Sequence, residues 1–374
     1  MAAPENAPRR RQKGVATLDE MANFDAIIDV RSPAEFADDH IPGAISCPVL
    51  DNAQRAEVGT LYKQVSPFAA KKLGAAYISA NIAQHLHNGF LERDKNWRPL
   101  IVCWRGGMRS GAMTTVFRAI GWDACQLDGG YKIFRNHVLA QLETLPDRFR
   151  FQVISGPTGS AKTRILQAIA RQGGQVLDLE EIARHKGSVL GRLPSQPQPS
   201  QKRFETQIWQ ALSSFDPARP VFVESESRKI GSLRLPEQLF IGMQAGPCHE
   251  IRAELAHRVE FLLSDYDYFV NDAVDLKKHL DTLRTLLGHE LVNQWHGQID
   301  QQDFAGLTES LLLKHYDPLY ARARQRDYAN SPPTLFAAAR LDSGEIERLA
   351  ATILEHAARA GEKDKDKDKE KDSA

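Results

Sequence analysis

Twice in this chain a short apolar run gives way to a glycine-bearing turn that opens directly into a helical pattern. The first junction runs from Leu100-Ile-Val-Cys103 through Trp104-Arg-Gly-Gly-Met-Arg-Ser110, after which Met113, Val116, Phe117 and Ile120 share one helical face. The second runs from Arg148-Phe-Arg-Phe-Gln-Val-Ile154 through Gly156-Pro-Thr-Gly-Ser-Ala161 into a stretch carrying Ile165, Leu166 and Ile169. Buried strands alternating with helices predict an α/β protein with parallel sheets. Ala26–Val30 and Ala124–Leu127 supply further strands around the first junction, Gly174–Asp178 and Pro220–Glu224 around the second. The Ala-rich stretch Asn52–Leu91 reads as mostly helical, and from Pro247 onward the chain reads as helix-rich, through His249–Leu263 and Asp275–Leu287.

A length of 374 residues suits two such domains. The expected division is a flexible N-terminus over 1–14, a first α/β domain over 15–145, a second with a helical extension over 146–360, and a disordered charged tail over 361–374. The stretch Leu193-Pro-Ser-Gln-Pro-Gln-Pro-Ser200 can be neither helix nor strand and reads as a mobile loop, a lid in this context. Lys+Arg and Asp+Glu both count 48, which argues against a wholly basic binder but leaves room for a local basic face on RNA. Four cysteines without a CxxC pair disfavour a disulfide framework or zinc site. With no apolar leader and no membrane-length apolar run, the expected location is the cytoplasm.

Cys103-Trp-Arg-Gly-Gly-Met-Arg109-Ser110 stands where a strand ends and a helix begins, so successive N–H groups and the helix dipole can face one anion. A thiol at the root of such a loop is in the place to act as a nucleophile. Gly106 and Gly107 let the loop wrap closely, and Arg109 offers a planar fork suited to a tetrahedral oxyanion. Trp104, Arg105 and Met108 complete the cradle, and Trp104 could stack on a base or shield the thiol. Cys47, Cys125 and Cys248 lack a comparable loop and read as small buried hydrophobes.

Gly156-Pro-Thr-Gly-Ser-Ala-Lys162-Thr163 matches a phosphate-binding Walker A loop except that Ala161 replaces the usual final glycine. Gly156, Pro157, Thr158, Gly159, Ser160 and Ala161 would cradle a diphosphate with their amides, Lys162 would balance its charge, and Thr163 could ligate Mg²⁺. Glu224 and Glu226 stand at the end of the strand Pro220–Glu224, where a Walker B acid is expected. They could hold Mg²⁺ or activate a nucleophile, or simply pair with Arg228 and Lys229. Asp178 and Glu180 are weaker acid candidates.

Asp29-Val-Arg-Ser-Pro-Ala-Glu-Phe36, His40-Ile-Pro-Gly-Ala44 and Leu127-Asp-Gly-Gly-Tyr131 resemble the two signatures of rhodanese domains, with Cys103 at the place of their sulfur-carrying cysteine. Arg109 is six positions after Cys103, one more than in common sulfurtransferase loops; that spacing resembles the rhodanese-related tyrosine phosphatases and suits phosphate, thiophosphate or selenophosphate. A rhodanese-like domain followed by a P-loop domain resembles the tRNA 2-selenouridine synthases over nearly the whole chain. Further matching stretches are Gly59-Thr-Leu-Tyr-Lys63, Gly187-Ser-Val-Leu-Gly191, Gln201-Lys-Arg-Phe-Glu205 and Glu224-Ser-Glu-Ser-Arg-Lys-Ile-Gly231. The resemblance implies a bacterial enzyme acting on tRNA with a wobble 2-thiouridine. It implies geranylation of the sulfur from geranyl diphosphate, then replacement of that sulfur by selenium from selenophosphate. Arg228, Lys229, Arg234, Arg322, Arg324 and Arg326 are then candidate tRNA contacts. Two other classes stay open: a sulfurtransferase or phosphatase coupled to an NTPase or kinase without RNA, and a catalytically silent binding module.

Overall fold

The computed structural model describes residues 14–187, 191, 196–265, 272–327 and 332–372. The chain divides into two compact units, Met1–Gln141 and Leu142–Ala374. Residues 1–13 of the expected flexible N-terminus, and Leu193, Pro194 and Ser195 of the expected lid, lie outside the described residues.

In the first unit, β1 (Val15–Ala16), β2 (Ala26–Asp29), β3 (Ile45–Ser46), β4 (Pro99–Val102) and β5 (Cys125–Leu127) form a parallel sheet in the order β1-β5-β4-β2-β3. Every residue of β4 is buried, as expected of an interior parallel strand covered on both faces. Asn52–Gln64 and Pro67–His85 are helical, each started by a side chain that accepts from the first-turn N–H groups, Asp51 in one case and Ser66 in the other. Phe90 stacks on Trp97, and with Phe117 and Trp122 the other ring pairs meet edge-on or tilted, all with ring centroids 5.0–5.9 Å apart, in the core beneath the helix Met108–Ile120.

The second sheet is also parallel, in the order β12-β11-β6-β8-β7, from β6 (Phe151–Ser155), β7 (Gln175–Leu177), β8 (Val221–Glu224), β11 (Cys248–Ala253) and β12 (Thr334–Ala338). β6 is the central strand, with β8 and β7 on one side and β11 and β12 on the other. Its carboxyl end is therefore the switch point where such sheets place ligands. A small antiparallel pair, β9 (Lys229–Ile230) and β10 (Leu233–Arg234), follows β8. The helix Lys162–Arg171 buries Ile165, Leu166, Ala168 and Ile169 against this sheet. A separate helical cluster gathers Leu276, Leu280, Val292, Trp295, Ile299 and Leu307.

Several sequence expectations need correcting. The strand in the second unit begins at Phe151, because Leu145–Arg148 form a 3-10 turn with Pro146 in its first positions. His249–Leu263 is not one helix: Cys248–Ala253 is a strand and the helix is Leu255–Asp265. The strand was hidden because His249, Glu250 and Arg252 break the apolar run, yet His249 and Glu250 are buried and each finds a polar neighbour. His249 Nε2 lies 2.7 Å from Gln152 Oε1, and Glu250 pairs with Arg252 and Arg324. The final helix spans Ser343–Asp372, where disorder was expected from Gly361.

His249 is 1% exposed, and burial, with the nearby His356, pushes its pKa down from 6.5 to about 4. The unfolded chain therefore binds this proton more readily than the folded one. Its contribution is complete above pH 6.5 and is lost as pH falls toward 4, about 3 kcal/mol in all. Urea midpoints at pH 7 and pH 4.5 should show this loss, and His249→Gln should flatten the dependence over that window.

Candidate functional site

Cys103 follows the central strand β4 and is 3% exposed. The Gly107 N–H points to its sulfur at 3.2 Å and the Ser110 hydroxyl at 3.1 Å, so two donors from the following helix start converge on Sγ. The loop is held from outside by the second signature: Tyr131 N–H donates to Cys103 O at 2.8 Å, Lys132 N–H to Trp104 O at 3.0 Å, and Gln126 Nε2 to Gly106 O at 2.8 Å. Gly130, at φ +58°, shows why that signature carries glycine. A Cβ there would overlap Cys103 O and Gly106 N and stand 2.9 Å from Arg105 N.

Behind the loop lies a buried polar lattice built by the first signature. Arg31 binds Asp29 at 2.6 Å and donates to Asp39 O at 2.6 Å, its guanidinium lies 3.9 Å from the centre of the Tyr131 ring, and Tyr131 OH donates to Asp39 at 2.7 Å. At the rim, Trp104 is 36% exposed and Met108 66%, while Arg105 and Gly107 are also exposed. Arg109 is half-buried and bound by two hydrogen bonds to Glu35, at 2.6 and 3.1 Å. The sequence reading did not single out Glu35 beyond its place in the signature.

In the second unit the glycine loop leaves β6, and Lys162 and Thr163 open the helix Lys162–Arg171. The loop is braced by Ser160 Oγ donating to Pro157 O at 2.7 Å and by Arg258 Nε donating to Thr158 O at 2.9 Å. Ala161 keeps the left-handed backbone that the usual glycine would take, at φ 57° and ψ 27°. The substitution therefore leaves the loop's course intact and places strain on one residue, about 1 kcal/mol. Ala161→Gly should raise the melting temperature or leave it level, because relief of that strain offsets the freedom glycine adds to the unfolded chain.

Glu180, Glu224 and Glu226 bring ligand oxygens within 4.8 Å of one another. Glu180 also accepts from the Thr163 hydroxyl at 3.1 Å. Burial raises all three carboxyls above the ordinary range; repulsion from Glu224 adds to this at Glu180 and Glu226, and Lys162 opposes it at each. Glu224 is 2% exposed and its Oε1 has no hydrogen-bond partner among the described residues. Hard oxygen donors, an unpaired buried carboxylate oxygen and a neighbouring threonine hydroxyl fit a divalent cation such as Mg²⁺. Glu180, ranked low from sequence, is thus a full member of the cluster, whereas Asp178 accepts from Glu181 N–H as a helix cap. Gly187 lies over the cluster: a Cβ there would come within 2.7 Å of Glu180 Oε1 and 3.0 Å of Glu226 Oε1.

The basic candidates separate into two groups. Lys229 and Arg234 face one another across the β9–β10 pair and are exposed, and the neighbouring Arg228 pairs with Glu237 and stacks over Phe240. On the helix Asp317–Asp327, Arg322 and Arg326 are exposed, but Arg324 turns inward to Glu250 at 3.2 Å.

The description tRNA 2-selenouridine synthase AAA domain matches residues 149–340, and the rhodanese-like domain matches residues 14–137. A tRNA 2-selenouridine synthase from Marinobacter nauticus is 31% identical over 79% of this chain and 87% of its own. The chain belongs to the tRNA 2-selenouridine synthase family. The synthase of Shewanella halifaxensis is 30% identical over 80% of this chain and 88% of its own. That of Nitrosomonas europaea is 37% identical, over 64% of this chain and 63% of its own. Both sheets of this family member are parallel and five-stranded, as the α/β reading expects. Among its described residues no helix is long and apolar enough to cross a membrane.

Proposed function

We propose that this synthase works in two steps on a tRNA with a wobble 2-thiouridine: it geranylates the sulfur using geranyl diphosphate, then replaces that sulfur with selenium from selenophosphate. The observation that carries the reading is that two anion-type loops of different chemistry occur on one chain. One encloses a thiol, and the other is faced by buried carboxylates. A thiocarbonyl sulfur leaves poorly, and alkylation converts it to a departing thiol. In the first step a bond forms from sulfur to the geranyl carbon, the carbon–oxygen bond to diphosphate breaks, and the base loses its N3 proton. The loop Gly156–Thr163 holds the departing diphosphate with its amides and with Lys162. Thr163, Glu180, Glu224 and Glu226 would hold Mg²⁺, which would supply further positive charge to the leaving group. In the second step selenium bonds to the base carbon, geranylthiol leaves, and water takes the phosphoryl group as the N3 proton returns. Trp104, Arg105, Gly106, Gly107, Met108, Arg109 and Ser110 surround the selenophosphate, beside Cys103. The basic faces around Lys229 and Arg234, and around Arg322 and Arg326, attract the tRNA backbone.

The spacing from Cys103 to Arg109 also fits a phosphatase. That chemistry needs a proton donor for the leaving oxygen. Burial would raise Glu35, but its bonds to Arg109 hold it down to about 2, so it carries no proton to give near neutral pH. The deciding experiment incubates the full chain with thiolated tRNA, geranyl diphosphate and selenophosphate, omitting each in turn, and reads the nucleosides by mass spectrometry. Geranylated nucleoside without selenophosphate, and 2-selenouridine only with both, is the expected pattern. Rapid turnover of aryl phosphates with no selenium transfer would overturn the reading.

A further inference from the structure

Arg109 stands between two residues that touch the Cys103 sulfur, Gly107 and Ser110, yet its guanidinium is engaged elsewhere. Glu35 Oε2 accepts from Arg109 Nη1 at 2.6 Å and Oε1 from Nη2 at 3.1 Å. The same Oε2 accepts from Ser32 N–H at 3.1 Å, closing the capping box of the helix Pro33–Asp38, and Arg55 Nε stands 3.9 Å away. A guanidinium has five N–H groups and this carboxylate takes two, so three remain for a ligand. Arginine is otherwise a flexible side chain that a bound anion must immobilise.

We infer that Glu35 is a positioning residue for the Cys103 cradle: it fixes the Arg109 guanidinium in advance, so that its remaining N–H groups meet a tetrahedral oxyanion held above the thiol. The inference rests on the reading of this loop as the selenophosphate site, and it gives the signature glutamate two tasks, capping a helix and orienting an arginine that lies 74 residues later. Preorganisation of this kind strengthens binding by removing the ordering cost from the moment of capture.

The test uses the full chain, with inorganic phosphate and thiophosphate as probes that protect Cys103 from alkylation by iodoacetamide. Glu35→Ala should raise the half-protecting concentration by about tenfold or more, and Glu35→Gln, which keeps one acceptor and the helix cap, by less. The alkylation rate without anion should stay within about twofold of the parent, as the donors to sulfur are untouched. In an Arg109→Ala background, adding Glu35→Ala should change protection by less than about twofold, since a residue acting through Arg109 has nothing left to act on. With selenophosphate, Glu35→Gln should raise KM with little change in kcat. An unchanged half-protecting concentration in both Glu35 variants, or an effect as large without Arg109 as with it, would overturn the inference. Failure of either anion to protect the parent protein is a different result: it removes the anion-cradle reading, and the role of Glu35 with it.

Discussion

Cys103→Ser should abolish selenium transfer, by on the order of a thousandfold, while geranylated tRNA accumulates. Serine differs by one atom at a side chain that is 3% exposed, and the Gly107 N–H and Ser110 hydroxyl can still donate to its oxygen. The loop's outer bonds, from Tyr131 and Lys132 to the Cys103 and Trp104 carbonyls, involve only backbone. The fold and tRNA affinity should therefore be unchanged, and the chemistry in the second unit with them. Quantifying geranylated and selenated nucleosides in one digest separates the steps. A normal rate of 2-selenouridine formation by the serine variant would show that the sulfur takes no part.

Lys162→Ala should reduce geranylation by about a hundredfold or more, the scale seen when one charge-stabilising donor is removed from a reacting site. Lys162 opposes the burial-raised pKa of all three clustered glutamates, so its loss removes that opposing charge. Two effects then add: the diphosphate loses a direct counter-charge, and the carboxyls hold protons that a cation would have to displace. Selenation of tRNA supplied already geranylated should fall far less, because the Cys103 loop belongs to the other compact unit. Single-turnover assays of each half-reaction give the comparison. Equal losses in both would mean that the steps share one site.

The two strand–loop–helix junctions were legible because each packs its information into about a dozen consecutive residues: an apolar run, glycines, then a helical stripe. The contacts that finish the sites were not, because they join distant segments. Glu35 reaches Arg109 across 74 positions, and Glu180 meets Glu224 and Glu226 only after β7 and β8 pair in register. Glu180 looked weak from sequence since it lies beyond a short strand, inside a helix start; the glycine at 187, placed where a side chain would strike that carboxylate, was the available clue. The strand Cys248–Ala253 was misread for a related reason. Its polar residues find partners on Gln152 and Arg324, which no local pattern announces. Arg324 was grouped with its neighbours by charge alone, although its spacing from Arg322 turns it toward another face of the helix.

The hydrogen bonds that fix the Cys103 loop come from residues 126–132, near the end of the first unit. A nascent chain that has emerged only as far as the helix Met108–Ile120 thus has its cysteine but not the clamp that shapes the loop around it. Until residues 126–132 pack against the loop, the thiol lacks the cradle that an anion would occupy. The pace at which phosphate becomes able to protect that thiol is therefore a clock for the maturation of the whole unit, readable at one atom, during synthesis or refolding.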